Sequence, residues 1–228
     1  MEQQLNLNTQ ELTIQDMKAL FANDSPLILD IGANDGYDSI RFIEGFPAAT
    51  IFAFEPDPRA YKKLVRNISQ RVEGVFEIAI SAQNGISDFY QSTGTPPNPA
   101  FAEVMPEGWD QSGSLRKPSD LNTERNPWLQ FKEELLTVTT MKLDSWMEQQ
   151  NLSGEVIDFI WLDVQGAEGD VLDGAEEALK KTRFIHLEYS DGEEYEGQPS
   201  LKELEQKLAD FSIVQVYAGD VLFRNNKL

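Results

Sequence analysis

Apolar positions follow two rhythms along this chain. Residues 27–31, 50–55, 75–80, 156–163 and 183–189 are near-continuous apolar runs, the pattern of strands buried on both faces. Between them, apolar residues recur three and four apart. Residues 37–43 read as a short helix, and another opens at Pro58 with Leu64 and Ile68 on one face. Helices are also predicted over 143–149, 169–180 and 201–208. Thr13 and Asp16 have the spacing of a capping box for a helix through Phe21, which Ser25-Pro26 breaks. Two strand-like runs flank Gly219-Asp220, a hairpin signal. The alternation predicts an α/β fold, a mostly parallel sheet with helices on both faces and a C-terminal antiparallel hairpin.

The rhythm breaks once. Short strands are predicted at 86–90 and 136–140, but residues 92–130 carry no clear period and hold six of the eleven prolines. So long a stretch without periodicity reads as a lid or a binding loop. Trp109, Trp128 and Phe101 argue against disorder there, since disordered segments are poor in aromatics. No repeat and no second core are visible. The whole of 1–228 reads as one domain, with an N-terminal helical extension over about 1–24 and a lid-like insertion over about 92–130.

Composition narrows the function. The chain has no cysteine, which removes disulfides, thiolate metal sites and cysteine nucleophiles. Its formal net charge of −20 repels phosphate backbones, so nucleic acid is not an expected partner. No run approaches the ~18 apolar residues of a membrane helix, and the first residues are neither basic nor apolar. A cytoplasmic protein with no membrane partner is the expectation, and a homodimer is compatible with it.

The chemistry gathers at strand ends. In "LDIGANDG", residues 29–36, a buried strand ends in Asp30 and passes through Gly32 and Gly36 into a helix. Glycines let a ligand approach the backbone, and a helix start offers free N–H groups. The spacing is not the G-x-G-x-x-G of dinucleotide sites, and Asp30 would repel a pyrophosphate. S-adenosylmethionine, with a sulfonium, an ammonium and no phosphate, suits that acid. Glu55 ends the second strand in "FAFEPDP", where an acid can accept both ribose hydroxyls. Asp163 and Gln165 in "WLDVQGAE" follow a later strand and face the same crevice; they can address methyl donor or acceptor. Glu168 reads as a helix-start acid matching the dipole. His186 and Glu188 lie two apart on a strand and so share a face. They are a candidate base pair for a hydroxyl, with His186 the favoured proton acceptor. Tyr195, in the loop "YEGQP", stands as a rim residue of the acceptor site. Asp163, Glu168 and Glu188 are an alternative oxygen-rich divalent-metal set, a reading the sequence does not favour.

The segments "LDIGANDG", "FAFEPDP", "IAIS", "DFIWLDVQGAEGDVLDGA" and "IHLEYS…YEGQ" together resemble the FkbM-type S-adenosylmethionine-dependent methyltransferases. The similarity runs from about Leu27 to Phe223 and leaves out the middle of 92–130. It implies a class I methyltransferase, Rossmann-like three-layer fold, and O-methylation of a sugar or natural-product hydroxyl. It implies a methionine end lined by Asp30, Gly32, Ala33, Asn34 and Gly36, with Glu55 and Pro56 at the ribose and Ala79 near the adenine. Many members read Lys-x-Asp-Val-Glu-Gly where this chain has Trp161, Asp163 and Gln165, a variant that leaves the acceptor open. "SGSL", residues 112–115, resembles a family segment beside the acceptor, which sets Ser114 with Gln165, Trp109 and Tyr195 as acceptor candidates. A nicotinamide or flavin oxidoreductase and a non-catalytic subunit keeping a nucleoside pocket are the competing readings.

Overall fold

Strands too apolar to show either face to water stack side by side, and helices cover both faces. This computed structural model describes residues 7–8, 11–21, 23–98, 105 and 108–228. Parts of the N-terminal extension, and Phe101 with the middle of 92–130, lie outside the described residues. The chain begins β1 (Leu7–Asn8), α1 (Ile14–Leu20), β2 (Leu27–Ile31), α2 (Tyr37–Gly45), β3 (Thr50–Phe54), α3 (Pro58–Ile68) and β4 (Gly74–Phe76). It continues β5 (Ala79–Ile80), β6 (Gly85–Phe89), β7 (Ser92–Gly94), α4 (Asp120–Arg125), β8 (Leu129–Phe131), β9 (Leu136–Met141) and α5 (Leu143–Gln149). It ends β10 (Ile157–Leu162), α6 (Glu168–Asp173), α7 (Glu176–Leu179), β11 (Thr182–Glu188), α8 (Leu201–Lys207), β12 (Phe211–Tyr217) and β13 (Asp220–Asn225).

The main sheet has the order β1-β12-β13-β11-β10-β2-β3-β4. β13 alone runs against the rest, pairing antiparallel with both β11 and β12. Side-chain alternation divides the core. Leu29, Ile31, Ile160, Leu162, Ile185 and Leu187 point to the layer that holds Trp146 of α5 and Leu204 of α8. Ile28, Phe159, Phe184 and Leu222 point to the other layer, with Met17 of α1 and Phe42 of α2. Ala53 continues that face onto Leu64 and Ile68 of α3. The result is the three-layer sandwich expected. β2 sits where the strand order reverses, so the crevice beyond its C-terminal end is the natural ligand site of an open α/β sheet.

Helix starts are fixed locally. Thr13 and Asp16 form the reciprocal capping box of α1. Asp57 caps α3 by accepting from the Arg59 N–H at 2.9 Å, with Pro58 just inside the helix.

Two expectations are corrected. The strand expected over 75–80 is divided: β4 stays in the main sheet, while β5 turns away and pairs in parallel with β9. The helix expected over 169–180 is two short helices broken at Gly174. A Cβ there would lie 2.1 Å from the Ser81 carbonyl oxygen, so the close backbone crossing forbids a side chain. The insertion is not without order: β7 pairs with β8, and α4 lies between them in the chain. These pieces are too short for any periodicity to register.

Candidate active site

A cavity of about 400 Å³ opens beyond the C-terminal ends of β2, β3 and β10. Gly32, Ala33 and Asn34 form one wall, Glu55 and Pro56 the next, and Ile78, Ala79 and Ile80 a third. Asp163 and Gln165 close one side, and Trp109 with residues 110–113 lies across another. Sequence expectation therefore placed Gly32, Ala33, Asn34, Glu55, Pro56, Ala79, Trp109, Asp163 and Gln165 on one surface, and the fold brings them there.

Asp30 and Gly36 were expected on that surface and are not in it. Asp30 lies beneath the loop, 1% exposed, with Oδ2 accepting from Ser39 Oγ at 2.5 Å. Its Oδ1 is buried without a partner. Burial above all, then the charges of Asp38 and Asp163, pushes its carboxyl up to about 8. Gly36 is the left-handed cap of α2 (φ 90°), and a Cβ there would press on Leu64 and Ile68 at 3.0–3.1 Å. Gly32 (φ 92°) is bare for a similar reason: a Cβ would lie 1.7 Å from the Asp163 carbonyl oxygen. Contacts within the chain, rather than ligand approach alone, require both glycines.

Glu55 is built to hold a donor-rich ligand. Its Oε2 accepts from the Asn34 N–H at 2.9 Å and its Oε1 from the Asp57 N–H at 2.7 Å. Burial pushes it up to about 8, with the charges of Asp57 and Asp110 adding to the effect. Asn34, in the left-handed region at φ 46°, also donates from Nδ2 to the Asp110 carbonyl at 2.9 Å. Asp110 in turn receives Lys63 Nζ at 2.6 Å. Trp109 meets Trp128 edge-on with ring centres 5.2 Å apart. The loop beside Glu55, α3 and the insertion are thus tied together. Asp110 and Lys63 were not read from the sequence, because nothing in their spacing marks a pair 47 residues apart.

The other end holds paired acids. Gln165, at φ 54°, donates from Nε2 to Asp163 Oδ1 at 2.7 Å and to Glu188 Oε2 at 2.8 Å. Burial raises both carboxyls, and Glu188 is held well above the usual range, with Asp163, Glu168 and Asp220 adding to the effect. The two acids meet through this shared amide. The Tyr195 hydroxyl, with one proton to give, lies 2.9 Å from the Ser112 carbonyl and 3.1 Å from Gln165 Oε1, and the residue is 3% exposed. Ser114 gives its hydroxyl to the Gln165 carbonyl at 2.7 Å. Neither Tyr195 nor Ser114 is in the cavity wall; they fix the Gln165 turn, and Ser112, Gly113 and Leu115 line the cavity instead.

His186 departs from its expected place. It is 3% exposed, outside the cavity wall, and stacked on Trp161 with centres 4.1 Å apart. Burial, then the Arg41 charge, pushes it down to about 3. Glu168 does cap its own helix start, but as a buried group: Oε1 accepts from the Val164 and Gly166 N–H groups at 3.2 and 3.3 Å. Among the described residues no three acids or histidines stand so as to hold a metal ion. Among them, too, no helix is long and apolar enough to cross a membrane.

S-adenosylmethionine fits this donor set. An acid at the end of β3 that lines the cavity suits a diol. The family described as Methyltransferase FkbM domain matches residues 30–213. Over 216 residues the chain is 44% identical to the 2-O-methyltransferase NoeI of Sinorhizobium fredii, covering 92% of this chain and 84% of that protein. It is 29% identical to the methyltransferase sdnD of Sordaria araneosa, covering 67% of this chain and 61% of that one. The crystal structure of methyltransferase FkbM from Methylobacillus flagellatus superposes with a TM-score of 0.53 at 13% identity, over 94% of this chain and 48% of that chain, which speaks to the fold alone. By fold and by sequence, the chain belongs to the FkbM family of S-adenosylmethionine-dependent methyltransferases.

Proposed function

We propose that this protein methylates a hydroxyl of a saccharide or natural-product acceptor, with Asp163 taking the hydroxyl proton. The observation that carries the reading is one cavity with a strand-end acid, Glu55, on one wall and Asp163, bridged to Glu188 by Gln165, at its other side. The similarity to a named 2-O-methyltransferase supports oxygen as the attacking atom.

Bound in the cavity, S-adenosylmethionine supplies a methyl group on a positively charged sulfur, open to in-line displacement. Glu55 accepts from the ribose hydroxyls while Asn34 and Asp57 hold its orientation. Ala79 and its neighbours offer an apolar slot for the base.

An alcohol gives up its proton only as the oxygen attacks, so a nearby acceptor lowers the barrier. Asp163 fits that task better than His186. It lines the cavity, and burial raises its carboxyl, which makes it a better base. His186 lies off the cavity and is held to about 3, too weak a base for the purpose. Glu188 and Gln165 are positioning residues: Gln165 donates to Asp163 Oδ1 and is itself held by Glu188.

The test is mass spectrometry of methyl transfer from S-adenosylmethionine to a panel of glycosides and hydroxylated natural products. A mass gain of one methyl on an acceptor oxygen is expected. Transfer to nitrogen or carbon only, or binding of the cofactor with no transfer, would overturn the reading.

A further inference from the structure

Among the described residues, the acids that line the cavity are Asp35, Asp38, Glu55, Asp110 and Asp163. Most are already engaged. Asp35 Oδ1 accepts from the Tyr37 N–H at 3.2 Å, and Asp38 pairs with Arg41. Glu55 is held by the Asn34 and Asp57 N–H groups, and Asp163 receives Gln165 Nε2. Asp110, which the insertion supplies, stands apart. It is 5% exposed, and its Oδ2 accepts from Lys63 Nζ at 2.6 Å. Its Oδ1 is buried without a partner. A buried carboxylate oxygen left unpaired is costly unless a ligand or water completes it.

A second oxygen at the same corner makes the same demand. Asn34, also in the cavity wall, gives Nδ2 to the Asp110 carbonyl at 2.9 Å, and its own Oδ1 is buried without a partner. The Asn34 N–H is bonded to Glu55, so this corner adjoins the wall that takes the ribose. Both orphaned oxygens are acceptors. What completes them has to bring donors, and Asp110 favours a donor with positive charge.

S-adenosylmethionine carries donors at its ribose diol, its adenine amino group and its methionine ammonium. Glu55 takes the diol in the reading above, and the base has the apolar slot at Ile78, Ala79 and Ile80. The ammonium is left, a group with N–H donors and no acceptor. A carboxylate oxygen beside an amide oxygen suits it, and the bond to the carboxylate is charge-assisted. Lys63 holds the other oxygen of Asp110, and so holds the insertion's acid against α3.

We propose that Asp110 Oδ1, with Asn34 Oδ1, receives the ammonium of S-adenosylmethionine, so that the insertion completes the methionine end of the site. The inference rests on the methyltransferase reading above and deepens it. The partner of the cationic end is then a residue of the insertion, not Asp30, which lies beneath the loop and outside the cavity wall. Cofactor binding and seating of the insertion become one event.

Calorimetry with ligands that differ only at the methionine end tests this. The probes are S-adenosylhomocysteine, its deaminated analogue 5′-S-(3-carboxypropyl)-5′-thioadenosine and its decarboxylated analogue 5′-S-(3-aminopropyl)-5′-thioadenosine. Wild type should prefer S-adenosylhomocysteine to the deaminated analogue by about tenfold or more, the size of one hydrogen bond to a charged group. Asp110→Asn keeps the side chain's shape and the backbone carbonyl. It should bring that preference within about threefold, by weakening the two ammonium-bearing ligands and not the deaminated one. Lys63→Met removes the tether but leaves Oδ1 in place, and should keep most of the preference. A preference lost equally in both variants would make Asp110 a tether only and overturn the contact. So would a wild type that does not discriminate, or an Asp110→Asn that weakens all three ligands alike. These measurements need no acceptor. A preference lost only in Asp110→Asn, with no transfer to any hydroxyl, would support the contact and sink the O-methylation reading. An intact preference in Asp110→Asn, with transfer to a hydroxyl, would do the reverse.

Discussion

Asp163 and Glu188 share one amide: Gln165 Nε2 donates to the first at 2.7 Å and to the second at 2.8 Å. They belong to different strands and sit 25 residues apart in the chain. The bridge holds two buried acids close enough that one must keep a proton. Glu188 is held well above the usual carboxylate range, and Asp163 is the member that lines the cavity.

Turnover should follow that division. Asp163→Asn is expected to lower kcat by about 10²-fold or more, the size of a lost general base. Glu188→Gln should lower kcat less and displace the pH profile of kcat, because it retunes Asp163 rather than touching the acceptor proton. Cofactor affinity should stay within about threefold in both, no more than one weak hydrogen bond's worth. Wild-type kcat in Asp163→Asn would remove it from the reaction.

Glu55 should dominate the cofactor's affinity. Glu55→Ala removes the side-chain partner of two hydroxyls and is expected to weaken S-adenosylmethionine binding by about 1–3 kcal/mol, two hydrogen bonds at about 0.5–1.5 kcal/mol each. Calorimetry reads this directly. An unchanged dissociation constant would mean that the ribose lies elsewhere.

Stability without ligand should fall as pH rises. Asp30 and Glu55 are held up to about 8, and Glu168 and Asp220 up to about 7. Their unfolded values lie near 4, so the folded chain holds extra protons between about 4 and 8. Their stabilising contribution is full below about 4 and lost as pH passes through 7–8. His186, held down to about 3, acts in the opposite sense, but only below its unfolded value of about 6.5. The melting temperature should therefore decline from about pH 6.5 to 8.5, where no histidine effect opposes it. A flat or rising melting temperature over that range would contradict the buried, protonated state of these acids.

Gly32→Ala should be severe. Its φ of 92° strains any side chain, and the new Cβ would meet the Asp163 carbonyl oxygen at 1.7 Å. A loss of about 3 kcal/mol or more is expected, read as a drop in melting temperature of about 2–4 °C per kcal/mol. A melting temperature within a degree of wild type would show that the β2 and β10 loops separate easily.

The insertion can be tested at its anchor. We propose that it acts as a lid, with Asp110 holding it to Lys63 and to the Asn34 side chain. Asp110→Ala should speed proteolytic cutting within 92–130 and weaken cofactor binding together. Faster cutting with unaltered affinity would make the insertion a passive cover.

Much of this was legible in the sequence because it is local. Continuous apolar runs can only be strands buried on both faces, and Thr13 with Asp16 or Asp57 with Pro58 fixes a helix start within one turn. Asp30, Glu55 and Asp163 are strand-end acids, and an open parallel sheet brings its strand ends to one edge whatever the loops do. What the sequence could not decide is which neighbour claims a side chain first. His186 and Glu188 share a face by period two, yet Trp161 takes one and Gln165 the other. Ser114 and Tyr195 are acceptor candidates in sequence, but the Gln165 turn engages both. The 75–80 run is long enough for one strand, and only β9, about 60 residues on, draws its second half away. Periodicity says which way a residue points; long-range packing decides what it meets there, and hence whether it is free to touch a ligand.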